Sequence, residues 1–376
     1  MLQNLAELPH YLLSFVVVLT VIVFVHEFGH YFVARLCGVK IEVFSIGFGR
    51  ELLGFTDRTG TRWKIALWPL GGYVKMFGDA GAASTPDDEK LDHMSAAEKK
   101  ISFHYQPLHK KAFIVAAGPI ANFILTIAVF TFFIFTTGLM STEPVVGGVL
   151  KGSPAAEAGM KKGDRVLMVD TDEITRFDQI ANIMLTNIGN PVKLLVERKG
   201  KEFELTITPR IYDDKDALGN EAKRPLIGIR SEKITYENVG LGTAVLEAAK
   251  RTYGLCAASL RVMGQMIRGD RSVDELKGPV GIAKLSGDVT SQGETLSETV
   301  RMVLWFIALL SANLGLVNLF PIPMLDGGHL TYYAVEALRG KPMAERFQEY
   351  GYKFGVVVIA TLMAFTLFND IKQLFF

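Results

Sequence analysis

The chain has 376 residues, of which 49% are hydrophobic and 21% charged, and its 40 Lys+Arg against 39 Asp+Glu leave a formal net charge of +1. Mean hydropathy is +0.26. These values exclude a disordered chain and a basic nucleic-acid tail, and no nucleic-acid partner is expected. The two cysteines, Cys37 and Cys256, exclude a disulfide framework and a thiolate metal cluster. The length predicts two or three units, and the composition places part of the chain in lipid.

In chain order, four apolar runs have the lengths of membrane spans: Tyr11 to Ala34, Phe113 to Leu139, Met302 to Phe320, and Phe354 to Phe368 extended by Tyr350 to Lys353. Each approaches the ~20 residues needed to cross a hydrocarbon core of roughly 30 Å. The first could instead be a signal peptide, but its charges follow the apolar run and it has no small-residue cleavage site. No Lys or Arg precedes Arg35, whereas the first and third connections carry Arg35, Lys40, Arg50, Lys99, Lys100, Lys110 and Lys111, and Arg339, Lys341 and Arg346. The positive-inside rule puts both connections in the cytoplasm and both termini and residues 140–300 outside. Cys37 and Cys256 then fall on opposite faces.

Between the first two spans, Lys40 to Ser45, Glu51 to Phe55 and Thr61 to Leu67 read as short strands, and Pro69 to Met76 leads back towards the apolar spans. Residues 81–100, rich in Ser, Thr, Pro, Asp and Glu, read as a mobile loop. From Val145 the chain turns β-rich. Ser153-Pro154-Ala155-Ala156 opens a short helix, Lys162-Gly163-Asp164 turns into a strand from Arg165 to Val169, and Asp178 to Leu185 has helical spacing. Lys193 to Glu197 and Glu202 to Thr208 then flank Lys199-Gly200 as a hairpin. This stretch resembles a PDZ domain of the bacterial, circularly permuted kind; another small β-sandwich is the alternative. Leu241 to Ile267 reads as an amphipathic helix on the membrane surface.

The chemistry concentrates in His26-Glu27-Phe28-Gly29-His30. Histidines at i and i+4 share one helix face and suit two ligands of one zinc ion, and Glu27 beside them can take a proton. His26 lies about 22 Å along the helix from Tyr11, at ~1.5 Å per residue, where ionisable groups are tolerated only in a buried polar site. A hydrogen-bonded histidine pair at a helix contact is the plainer alternative. A catalytic zinc needs a third protein ligand and an open fourth position. Asp326 offers it, in the run Asn318-Leu319-Phe320-Pro321-Ile322-Pro323-Met324-Leu325-Asp326-Gly327-Gly328-His329. The two prolines break the third span, and irregular backbone at membrane depth must line an enclosed cavity. Asp326 could instead cap a helix, and His329 is the rival ligand.

These residues, together with Gly71-Gly72-Tyr73-Val74, Gly118-Pro119-Ile120-Ala121-Asn122 and Gly278-Pro279-Val280-Gly281-Ile282, resemble the site-2 protease family of intramembrane zinc metalloproteases, in its regulator-of-sigma-E protease branch. The likeness covers nearly the whole chain. It departs in one respect: the best-known member carries two tandem PDZ domains, and this chain has room for one. The resemblance implies a bacterial inner-membrane protein, one Zn2+ per chain on His26, His30 and Asp326, and Glu27 as general base. The substrate should be a transmembrane segment of another, single-span membrane protein, such as an anti-sigma factor or a signal-peptide remnant. Asn318 is a candidate donor to oxyanion or substrate backbone, or else a helix–helix hydrogen bond; Gly71, Gly72 and Tyr73 could pair with an unwound substrate. Asn122 reads as structural. The PDZ-like unit could bind peptide carboxyl termini or exclude bulky substrates.

The expected fold is a mainly α-helical polytopic membrane protein with four transmembrane helices, a cytoplasmic membrane-associated β-hairpin region and one inserted PDZ-like α+β domain. It divides as 1–139 (two spans, H-E-x-x-H and the β-rich loop), 143–210 (PDZ-like, periplasmic), 211–299 (a linker with an interfacial helix) and 300–376 (the last two spans). Three rivals are weaker. A membrane-anchored PDZ scaffold with an inert metal site would lack a catalytic group, and none is missing. A prenyl-protein endopeptidase leaves the Asn318 to Gly327 string unexplained, and a transporter leaves Glu27 between two histidines unexplained.

Overall fold

The computed structural model of the chain describes residues 2–81, 86–187, 189–215, 221–231, 234–269, 272–341 and 343–375. They form two compact units, residues 1–131 with 245–376, and residues 132–244. The first apolar run folds as helix α1, Leu2–Leu36. It ends where Gly38 adopts φ 83°, with Val39 N–H donating to Ala34 O at 2.9 Å across the last turn.

Strands β1 (Ile41–Thr56) and β2 (Arg62–Met76) follow. Residues 43–46 pair with 62–65 on one side and with 72–75 on the other, while 51–56 pair with 62–66. Two strands thus make four antiparallel segments, in the order 72–76, 41–46, 62–66 and 51–56, with Gly72 to Met76 along one edge. The chain bends at Gly47 and Gly49, whose φ values of 88° and 89° favour glycine. Asp57 holds the turn between the strands: its Oδ1 accepts Thr59 N–H and Thr61 N–H, and its Oδ2 accepts Trp63 Nε1–H. Against the upward push of burial, these hydrogen bonds keep the Asp57 carboxyl well below the usual carboxylate range. Leu53, Phe55 and Trp68 remain 69%, 62% and 60% exposed, an apolar rim suited to acyl chains.

The stretch expected to be a mobile loop contains two capped helices, α2 (Asp88–Asp92) and α3 (Ala96–Ile101). Asp87 accepts Lys90 N–H, and Ser95 with Glu98 forms a reciprocal capping box. Composition pointed to a loop because the polar residues that cap short helices are those that fill loops. Helix α4 (Leu108–Thr137) is the second long apolar helix.

In the second unit, β3 (Leu139–Thr142), β4 (Val146–Val149), α5 (Pro154–Glu157), β5 (Arg165–Val169), β6 (Asp172–Glu173), α6 (Phe177–Thr186), β7 (Val192–Arg198) and β8 (Lys201–Ile207) follow in turn. Four of the strands form a sheet in the order β6-β5-β7-β8. Val192, Leu194 and Val196 point alternately into a core with Val146, Val166 and Ile180. Asp164, fully buried, is held by Arg198 through two 2.6 Å contacts. Four more strands lie past residue 207: β9 (Arg210–Lys215), β10 (Glu221–Leu226), β11 (Ile229–Ser231) and β12 (Ile234–Glu237). Strand β11 pairs with β4 and β12 with β3, so the compact unit takes in residues on both sides of 143–210.

The chain then forms α7 (Leu241–Arg268), α8 (Pro279–Ser291), α9 (Leu296–Asn318), α10 (Asp326–Arg339) and α11 (Glu345–Phe375). Among the described residues, four helical segments are long and apolar enough to cross a membrane, Leu8–Leu36, Leu108–Thr137, Leu296–Asn318 and Arg346–Gln373. Helix α8, within the stretch expected as a linker, packs Ile282, Leu285 and Val289 against Val18 and Ile22 of α1 and Phe306 and Ile307 of α9. Asp370 of α11 accepts Gly278 N–H and Gly281 N–H, both at 2.9 Å, and so caps α8.

Candidate metal centre

Helix α1 carries His26 and His30 on one face, each 9% exposed. Their rings meet edge to face, and their Nε2 atoms lie 3.2 Å apart. Asp326, the first residue of α10, brings its Oδ2 to 3.2 Å from His26 Nε2 and 3.5 Å from His30 Nε2. Among the described residues, these three donor atoms form the one such convergence. Zinc bonds of ~2.0–2.2 Å at tetrahedral angles separate ligand atoms by roughly 3.3–3.6 Å, which is close to the spacing observed. Asp326 Oδ2 is also buried with no hydrogen-bond partner, which a cation would satisfy. Two imidazoles and a carboxylate therefore fit zinc and leave a fourth position open.

The break after α9 delivers Asp326. Pro321 and Pro323 end regular helix, and Met324 takes the left-handed φ of 91° before α10 begins. The loop folds back tightly on α10: a Cβ on Gly327 would lie 2.2 Å from Leu319 O, and one on Gly328 2.4 Å from Ile322 O. Gly355 of α11 gives the same room to Pro323 O, which a Cβ there would approach to 1.9 Å.

Helix α4 supports the histidines from behind. His30 Nδ1 lies 2.9 Å from Ile114 O, so a proton on Nδ1 is donated to that carbonyl and Nε2 is free to ligate. One turn on, a Cβ at Gly118 would sit 2.2 Å from His30 Nε2 and 2.8 Å from His26 Cε1. A further turn on, the fully buried Asn122 places its amide 3.2 Å from His26 Nδ1. The sequence has Asn122 packing structurally against the first span, and its amide does meet that span, at the candidate ligand His26. The signal available was the spacing of Gly118 and Asn122, a gap and a polar group on one face of an apolar helix.

A cavity of about 210 Å³ opens over the three donors, lined by Glu27, Gly72, Tyr73, Asn318, His329 and Tyr333 among others. Gly72 abuts Glu27, since a Cβ at Gly72 would lie 2.9 Å from Glu27 Cγ and 2.8 Å from Ser45 O. Gly71, at φ 134°, turns the backbone into that edge segment. His329 lines the cavity but adds no donor atom to the group of three. Burial pushes its imidazole down, which favours the neutral form, and burial raises the Tyr333 phenol, which stays protonated. A larger, open depression of about 430 Å³ between Phe77 and α2–α3 lies elsewhere.

An H-E-x-x-H helix whose histidines meet a carboxylate from a broken neighbouring span defines a zinc metallopeptidase built among membrane helices. Residues 14–362 match Peptidase family M50, and the chain belongs to that family. It is 40% identical over 371 residues to a candidate zinc metalloprotease of Agrobacterium fabrum, covering 98% of this chain and 97% of that protein. To Metalloprotease MmpA of Caulobacter vibrioides it is 38% identical over 379 residues, covering 96% and 95%. The PDZ domain of an SdrC-like protein from Listeria monocytogenes is similar to 23% of this chain, over 84% of its own length, at 22% identity and a TM-score of 0.19. The protein is an intramembrane zinc metalloprotease.

Proposed function

We propose that His26, His30 and Asp326 hold the zinc, that Glu27 is the general base, and that the substrate is a transmembrane segment of a single-span protein. The convergence of the three donor atoms within 3.5 Å of one another carries this reading. Zinc in that cradle supplies Lewis acidity, which brings the pKa of water down towards ~7 and offsets negative charge developing on the carbonyl oxygen. Glu27 takes a proton from the attacking water and passes it to the leaving amide nitrogen. Asn318, at the end of α9 and on the cavity wall, donates to the oxyanion or to substrate backbone. Asp326→Ala should lose stoichiometric zinc and cleavage together; zinc retained in that variant would remove Asp326 from the ligand set.

A substrate helix hides its amides in its own hydrogen bonds and must unwind before attack. The edge segment Gly72 to Met76, paired with β1 on one side, supports β-addition of the unwound stretch beside Glu27. Gly72→Pro should therefore slow cleavage without changing zinc content, and unchanged turnover would reject this docking mode. The charge pattern supports a bacterial inner-membrane protein with its active site towards the cytoplasm and both termini and the PDZ-like unit in the periplasm. That unit, spanning the 143–210 stretch, binds free peptide carboxyl termini or excludes bulky substrates, so that single-span remnants such as cut signal peptides or a trimmed anti-sigma factor are preferred. The lipid bilayer is the second partner of the four spans.

A further inference from the structure

We infer that Asn122 is a positioning residue that sets the tautomer of His26, its Oδ1 accepting the Nδ1 proton whenever Nε2 is a metal ligand. The inference rests on the zinc reading above. A neutral imidazole that ligates through Nε2 must carry its proton on Nδ1, and a buried N–H there needs an acceptor. His30 has one, the Ile114 carbonyl at 2.9 Å. His26 Nδ1 faces the Asn122 side chain at 3.2 Å.

The two ends of that amide ask for opposite tautomers. With Nδ2 towards the ring, Nδ1 must accept, the proton sits on Nε2, and no lone pair faces the other two ligands. Asn122 Oδ1 is then the buried atom without a hydrogen-bond partner. Turning the amide over brings Oδ1 onto Nδ1–H and frees Nε2. At Nδ1 the exchange is one hydrogen bond for another, and it decides whether Nε2 keeps a proton that it can donate to its neighbours or a lone pair that can ligate. Amide oxygen and nitrogen are nearly the same size, so the turn needs no backbone shift.

The backbone at this position is pinned. Asn122 O accepts from Ser311 Oγ of α9 at 2.9 Å and from Thr126 Oγ1 at 3.0 Å, and Thr126 Oγ1 also reaches Ala308 O at 3.0 Å. Helix α9 runs into the break that precedes Asp326, so Asn122 is tied by its backbone to the helix leading towards one candidate ligand and by its side chain to another.

The test is zinc affinity of the full chain in detergent, measured by competition with a chromophoric chelator for wild type, Asn122→Leu and Asn122→Asp. Leucine keeps the branched outline with bulkier methyl ends and removes the acceptor, and should weaken zinc binding by about 10–100-fold, the usual effect of losing such a partner. Aspartate can accept the Nδ1 proton but cannot donate, and should bind zinc within about threefold of wild type, as carboxylate–histidine–zinc arrangements do. Unchanged affinity in Asn122→Leu would overturn the inference. So would an Asn122→Asp protein that is folded yet as weak as the leucine variant, since the amide N–H would then be the needed group. The aspartate prediction stands as a test even where the leucine variant fails to fold. A wild-type chain that binds no zinc would instead sink the metal reading itself.

Discussion

Glu27→Gln should retain a full complement of zinc and lose cleavage of a single-span substrate by at least about a hundredfold, and up to about ten-thousandfold, the range spanned by positioned general bases. Glutamine keeps the shape of the side chain against Gly72 but cannot take a proton. Glu27 contributes no donor to the convergence of His26, His30 and Asp326, so the cation should stay. The measurement pairs metal content by mass spectrometry with cleavage in reconstituted vesicles. Loss of zinc would move Glu27 into the ligand set, and persistent cleavage would place the base elsewhere. Zinc-loaded wild type that cuts no single-span substrate would favour an inert scaffold.

Gly118→Ala should be nearly as damaging, by a different route. The added methyl would lie 2.2 Å from His30 Nε2 and 2.8 Å from His26 Cε1, closer than any real contact. Neither ring can retreat freely, because His30 Nδ1 is held at Ile114 O and His26 packs on Asn122. Zinc affinity should fall by at least about 10-fold and cleavage with it, a loss of the size seen when outer partners of metal ligands are removed. Gly254→Ala on α7, where a Cβ meets nothing within 4 Å, should change neither and serves as the control. Full zinc occupancy in Gly118→Ala would show that α4 stands further from the rings than described.

The long apolar helices and the two motifs whose donor atoms converge are legible in the sequence because they are long or rigidly spaced. An uncharged run of ~20 residues has few alternatives, and H-E-x-x-H fixes its own geometry once a helix is granted. Helix α8 escapes such a reading. Its contact face holds Ala283, Ser286 and Gly287, and small residues that let helices approach closely resemble a linker in any hydropathy profile. A Cβ on Gly287 would lie 1.7 Å from Tyr11, a closeness visible only when α1 and α8 are side by side. The return strands of the second unit are hidden for another reason. Strand β11 has three residues, Ile229–Ser231, and its membership is decided by the partner Val149 some eighty positions earlier. Asn122 needed both kinds of information: its polarity was readable, its facing ring was not.

The grip of Asp370 on Gly278 N–H and Gly281 N–H, joined by the Asn369 Nδ2 bond to Val273 O, makes the far end of α11 and the start of α8 travel as one piece. Because α8 is wedged against the histidine-bearing helix, the last span is not an independent wall that can swing away on its own. A displacement of α11 at that end would carry α8 with it, against the helix that bears His26 and His30. The Gly72 edge, by contrast, meets α1 at Val23 and Glu27, away from the Tyr11, Val18 and Ile22 side chains that α8 contacts.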